Sequence, residues 1–185
     1  MEASDSELMV RLAGDDDLAL NTLMDRWASR VTSFLYKMTG QRDTAVDLAQ
    51  ETFVKLYGAR KRYKSGGTFS TYLFTIAANL ARNHARWRAR HPTVSLDATN
   101  DDGLPMVAEA ADPHETPGEA VETSEKFRAV HAALLELPHD LREAMTLFVY
   151  EGMSYADIAS LTRCSAKAVE TRIYRARQIL KAQLK

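Results

Sequence analysis

The chain has 185 residues, 45% of them hydrophobic and 26% charged, which is enough for one ordinary domain or two small ones and excludes wholesale disorder. Its single cysteine, Cys164, excludes an intramolecular disulfide and a cysteine cage for zinc. The formal net charge of -1 averages over segments of opposite sign, and that order of signs is the first clue to function.

Helices are expected at residues 5–13, 17–40, 44–60, 71–90, 124–137, 140–151, 155–161 and 166–184, with no sustained period-two alternation to suggest a strand. The acidic start, Met1-Glu2-Ala3-Ser4-Asp5, lacks the basic-then-apolar build of a signal peptide. The longest uncharged run, residues 65–81, contains Ser, Thr, Gly and Asn, so no segment reads as membrane-spanning and a cytoplasmic protein is expected.

In the third helix Val46, Ala49, Phe53, Leu56 and Tyr57 form a stripe expected to face the core. Asp47, Glu51 and Val54 lie on a different side with Leu48 beside them, a mixture compatible with a protein–protein contact. Taken alone, periodicity favours an ordinary amphipathic helix as the account of this pattern. From Thr52 to Leu96 there is no acid, while Lys55, Arg60, Lys61, Arg62, Lys64, Arg82, Arg86, Arg88 and Arg90 are positive. The loop over residues 60–69 interleaves bases with Tyr63 and Phe69 around Gly66 and Gly67, yet has neither P-loop nor dinucleotide glycine spacing.

The helix after it turns Leu73, Ala77, Leu80, Ala81 and His84 to one side, flanked by Ile76 and Trp87. It turns Tyr72, Thr75, Asn79, Arg82, Asn83, Arg86 and Arg90 to the other. Guanidinium groups bind phosphates, amides bond base edges and an aromatic ring stacks on an unpaired base, so this face suits single-stranded nucleic acid.

Residues 97–125 invert the sign, with nine acids and no base. With Pro92, Pro105, Pro113 and Pro117 nearby, residues 93–123 read as a flexible acidic linker between an N-terminal domain (1–92) and a C-terminal domain (124–185), each burying its own core. In the second domain Phe127, Val130, Leu134 and Leu137 form one stripe, and Asp140 is placed to cap a helix that buries Leu141, Ala144, Met145 and Phe148. A short helix with Ala156, Ile158 and Ala159, a turn at Thr162-Arg163-Cys164 and a helix capped by Ser165 then make a helix-turn-helix. Val169, Ile173 and Leu180 face inward, leaving Lys167, Glu170, Thr171, Arg172, Tyr174 and Arg175 outside, as major-groove reading requires.

Together these segments resemble the bacterial RNA polymerase sigma factors of the extracytoplasmic-function (ECF, group IV) kind, over nearly the whole chain. Asp47-Leu48-Ala49-Gln50-Glu51-Thr52-Phe53 is similar to the family's polymerase-binding motif, and residues 69–83 resemble its −10 recognition and strand-opening segment. Leu137-Pro138, Leu141-Arg142, residues 153–159 and residues 168–177 resemble its −35-reading region. The resemblance implies an all-α protein of two small helical domains, region 2 and region 4. It implies transcription initiation, often in a stress response, without enzymatic activity or a cofactor.

The core polymerase, through its β′ clamp helices and β subunit, would meet Asp47, Leu48, Gln50, Glu51 and Val54. The −10 strand would meet Lys64, Ser65, Phe69, Tyr72, Thr75, Asn79, Arg82, Asn83 and Arg86, with the 64–69 loop holding a flipped base. The −35 duplex would meet Lys167, Glu170, Thr171, Arg172, Tyr174 and Arg175. The acidic linker would thread the polymerase's basic RNA exit path. With no sensory extension expected after Lys185, control would fall to a separate anti-sigma factor, which if membrane-bound would hold the chain at the inner face.

Two departures stand out: Val46 replaces an acid common in relatives, and Glu170 replaces a base, so that it either accepts from a cytosine amino group or lies against solvent. A conventional helix-turn-helix regulator would need a dimer interface and would leave the third helix and the basic loop unexplained. An enzyme finds no support, since His84, His91, His114, His131 and His139 lack metal-ligand spacing and no nucleophile elbow is present.

Overall fold

The computed structural model describes residues 3–64, 67–91 and 117–184, and within them every regular element is helical. The N-terminal domain contains α1 (Asp5–Ala13), α2 (Leu18–Thr39), α3 (Arg42–Ala59), a 3-10 turn at Arg60–Arg62 and α4 (Phe69–Arg90). The C-terminal domain contains α5 (Pro117–Glu136), α6 (His139–Val149), α7 (Tyr155–Thr162) and α8 (Ala166–Gln183).

Local chemistry sets these boundaries. Ser4 and Glu7 form a reciprocal capping box that opens α1. Gly40 ends α2 at φ 73, a left-handed conformation that costs glycine nothing. A Cβ there would also stand 2.8 Å from Cδ1 of Leu135, so this glycine serves both the turn and the approach of α5. Helix α5 begins at Pro117, earlier than the expected residue 124, because proline is tolerated in the first turn where no backbone donor is needed.

The helix α6 begins at His139 behind Pro138 without a side-chain cap, so Asp140 does not take the expected capping role; it lies in the first turn instead. The acidic segment 93–116 lies outside the described residues.

The N-terminal core is built on Phe34, Phe74, Leu23, Leu56 and Leu73, all fully buried, each contributing about 1.5–3 kcal/mol by leaving water. Trp27 meets Phe69 and Phe74 edge-on at 5.6 and 6.2 Å. In α3 the buried stripe is Ala45, Ala49, Thr52, Phe53 and Leu56. Thr52 fits because its hydroxyl donates to the carbonyl of Leu48 at 2.8 Å. Val46, expected inside, is 37% exposed, since Ala45 fills the inward position at the start of the stripe.

The two domains do not bury separate cores. One apolar cluster runs from α1–α4 into Ala144, Leu147, Met153, Ile158, Leu161, Val169 and Ile173, and a smaller one joins Ala133, Leu134, Leu137 and Leu141 to Ala176 and Leu180. Along the seam α2 packs on α5 and α6, and α4 packs on α7. The Arg142 guanidinium stitches it, donating to the carbonyls of Met38 (2.8 Å), Leu137 (2.9 Å) and Leu135. These are orphan acceptors at the ends of α2 and α5, so one cation closes two helices. Tyr36 stacks on His131 at 4.4 Å, and Arg30 pairs with the nearly buried Glu151 at 3.0 Å.

Candidate nucleic-acid interface

Three surfaces carry the residues singled out in the sequence. On α3, Asp47, Gln50, Glu51 and Val54 are all exposed at i, i+3, i+4 and i+7, and so share one face. Val54 is 70% exposed, an apolar side chain held among carboxylates with no partner side chain covering it. Leu48 is half-buried and packs against the core from the edge of that face. Glu51 pairs with Lys55 at 3.2 Å, an exposed i,i+4 bridge worth little and readily exchanged.

The second surface is α4. Thr68 caps it, its hydroxyl accepting from the backbone N–H of Thr71, and no carboxylate lies anywhere along the helix. Asn79, Asn83, Arg86 and Arg90 form an exposed row, with Arg86 donating to Asn83 at 2.9 Å. Thr75 returns its hydroxyl to the carbonyl of Thr71 at 2.6 Å. Tyr72 is half-buried, edge-on to Tyr63 at 5.1 Å, and desolvation pushes its phenol pKa up, so it stays neutral.

Phe69 does not join this surface: it is 4% exposed and packs on Trp27. Capping by Thr68 starts the helix at Phe69 and turns that ring inward, where it anchors the loop instead of offering a stacking face. Lys64 is exposed, and Ser65 lies outside the described residues. The basic turn just before is tied down by Asp15, which accepts from Arg60 at 2.9 Å and Lys61 at 3.2 Å.

Arg82 is the other exception. It reaches across the seam to Glu143 of α6 at 3.2 Å, a carboxylate only 3% exposed. Burial raises the Glu143 pKa to about 7 although Arg82 and Arg172 both oppose that rise. Nothing local in the sequence marked Glu143. The available signal was that α6 carries Leu147 one turn beyond it, on a different side from the stripe Leu141, Ala144 and Phe148, so the helix is covered on two sides.

The third surface is the helix-turn-helix. Ser154 and Ser165 cap α7 and α8, accepting from the N–H groups of Asp157 and Ala168, both at 3.1 Å. Arg163 makes the turn between them in the left-handed region, at φ 55. Val169, Ile173, Ala176 and Leu180 bury one side of α8. On the other, Lys167, Glu170, Thr171, Tyr174 and Arg175 are exposed, and Lys167 pairs with Glu170 at 2.9 Å. Arg172 is half-buried, with Nε 3.4 Å from Asp140 and Nη1 3.7 Å from the Cys164 sulfur.

Families of known proteins match both domains. Sigma-70 region 2 matches residues 23–91, and Sigma-70 region 4 matches residues 127–180. The RNA polymerase sigma-H factor of Pseudomonas aeruginosa is 33% identical over 180 residues, covering 97% of this chain and 93% of its own length. The chain belongs to the ECF sigma-70 factors.

The ECF RNA polymerase sigma-E factor of Haemophilus influenzae is 32% identical over 187 residues, covering 99% of this sigma factor and 96% of its own length. Among solved structures, the sigma factor RpoE in complex with the anti-sigma factor NepR from Bartonella quintana superposes with a TM-score of 0.67 at 25% identity, covering 89% and 95% of the two chains. This sigma factor is therefore a transcription-initiation factor and not an enzyme. No helix among its described residues is long and apolar enough to cross a membrane.

Proposed function

We propose that this ECF sigma factor carries core RNA polymerase to promoters whose −35 duplex is read by α8 and whose melted −10 strand is held on α4. The observation that carries the reading is the acid-free α4, which presents Asn79, Asn83, Arg86 and Arg90 in one exposed row. Arginines at this spacing track phosphates while the amides on the turns before them reach base edges. Lys64 and the Arg60–Arg62 turn extend the positive track, and Tyr72 forms its floor with Tyr63. Phe69 acts by holding the loop in place. On α8, Arg175, Lys167 and Thr171 lead into the major groove, Tyr174 lies beside them, and Glu170 exchanges Lys167 for a cytosine amino group.

Core polymerase docks on Asp47, Leu48, Gln50, Glu51 and Val54, and the nearby Val46 adds apolar area where relatives carry an acid. The acidic segment before α5 lies along a basic channel of the polymerase. The chain works in the cytoplasm, needs no cofactor, and is restrained by a separate anti-sigma protein, as the RpoE–NepR complex suggests. Gel filtration with bacterial core polymerase tests the reading. The chain is expected to co-elute with core, and Glu51→Arg to abolish co-elution while leaving helix content unchanged. DNA binding without any affinity for core would overturn it.

A further inference from the structure

Asp140 and Glu143 stand one turn apart on α6, and each faces an arginine assigned above to DNA. Glu143 meets Arg82 of α4 at 3.2 Å, and Asp140 meets Arg172 of α8 at 3.4 Å; Arg172 also lies close enough to Glu143 to act on its charge. A single acidic step on one helix thus occupies a −10 arginine and a −35 arginine together. The neighbouring seam contacts follow the same logic, for Thr71 of α4 donates to Asp157 of α7 at 3.4 Å and Arg30 of α2 pairs with Glu151. Carboxylates present the charge and oxygen geometry that a phosphate presents to a guanidinium.

The closure is also incompletely satisfied. Arg82 Nη2, His139 Nε2, His131 Nε2 and Arg142 Nε are buried along the seam without a hydrogen-bond partner. Each such atom costs free energy that opening would return to water, so apolar burial and ion pairing hold the seam against a standing penalty. A seam held this way opens when a competitor offers better partners.

We propose that the Asp140–Glu143 step of α6 is an internal competitor for promoter DNA: Glu143 closes the free chain by seating on Arg82 across the seam, and Asp140 occupies Arg172 within the C-terminal domain, so that the two domains cannot engage DNA together. This rests on the −10 and −35 reading above. In the closed chain Arg82 is withheld from the exposed row Asn79, Asn83 and Arg86, and α7 covers the Thr71 end of α4. The apparent affinity for DNA is then the intrinsic affinity multiplied by the small open fraction.

The test uses the full-length chain without polymerase. Interdomain distance is followed by fluorescence transfer, and binding is followed with a mixed-sequence forked duplex, whose phosphates are recognised whatever its bases. Glu143→Lys places a cation beside Arg82 and Arg172. Glu151→Arg opposes Arg30 at the other end of the seam and leaves the acidic step intact. Glu125→Lys adds the same charge as Glu143→Lys at an exposed position on α5.

The two seam variants are expected to lengthen the interdomain distance and bind the fork about tenfold or more tightly than wild type, a factor set by the open fraction. Glu125→Lys is expected to remain compact and stay within about twofold of wild type, the increment that this charge reversal supplies away from the DNA-facing rows. Circular dichroism confirms that each variant keeps its helices. Opening without tighter binding would overturn the proposal, as would a Glu143→Lys chain that stays compact or a wild type already open. Core polymerase co-elution of the wild type is scored separately, so loss of the sigma reading is distinguishable from loss of the internal competitor.

Discussion

Glu143 and His139 lie one turn apart on α6, and burial moves their protons in opposite directions. The glutamate rises from 4.5 to about 7, and the histidine falls from 6.5 to about 4, desolvation being the largest cause in both. Arg82, Arg172 and Asp140 surround Glu143, while Arg142, Arg82, Asp140 and Arg86 surround His139. A carboxyl whose folded pKa is raised binds more protons folded than unfolded, so its contribution falls as pH rises from 4.5 to about 7. A histidine whose folded pKa is lowered binds fewer, so its contribution grows as pH rises from about 4 to 6.5.

The two slopes oppose each other and flatten the wild-type profile. Relative to wild type, Glu143→Gln is expected to melt with a steeper rise between pH 4.5 and about 7. His139→Gln is expected to show a steeper fall between about pH 4 and 6.5. Thermal melts of the three chains across that range check both signs. Glu151, raised by burial, and His131, lowered by burial, are common to all three and leave the differences intact.

At the scale of the element, the helix-turn-helix depends on its caps. Helix α7 runs only from Tyr155 to Thr162, too short to persist without help. Ser154 closes its first turn, Arg163 ends it in the left-handed region, and Ser165 starts α8 two residues later. Ser165→Ala removes the acceptor for the Ala168 N–H and is expected to cost about 1 kcal/mol of stability in urea unfolding. The same change should weaken −35 duplex binding by the holoenzyme more than −10 fork binding, because only α8 loses its anchored first turn. On α4 the corresponding device is Thr68, and Phe69 behind it is buried against Trp27.

For the molecule as a whole, Arg142 is the residue on which both domains converge. Its three carbonyl acceptors come from the ends of α2 and α5, and removing the side chain takes the donor away from all three. Arg142→Ala is expected to cost about 2–3 kcal/mol, the range for losing hydrogen bonds to a half-buried charge, and to lower the melting temperature accordingly. Glu143→Lys differs from it in repelling Arg82 directly, so comparing the two variants separates loss of stability from release of that arginine.

Most of the helices, the acid-free face of α4, the exposed α3 face and the helix-turn-helix were legible because their information is local. Periodicity, caps and runs of charge are properties of residues within a turn or two of one another, and they survive whatever packs around them. What the sequence by itself determined is therefore where most of the helices lie and which of their faces carry charge, amides or exposed apolar groups.

Only the tertiary structure decided which of those groups are free. Phe69 reads as a −10 contact until it is found packed on Trp27, and Val46 reads as core until Ala45 fills that place. Arg82 reads as a phosphate contact until Glu143, distant in the chain, arrives beside it. Solvation and ion pairing depend on neighbours brought together by folding, and no spacing along one helix encodes which carboxylate will cross the seam to meet it.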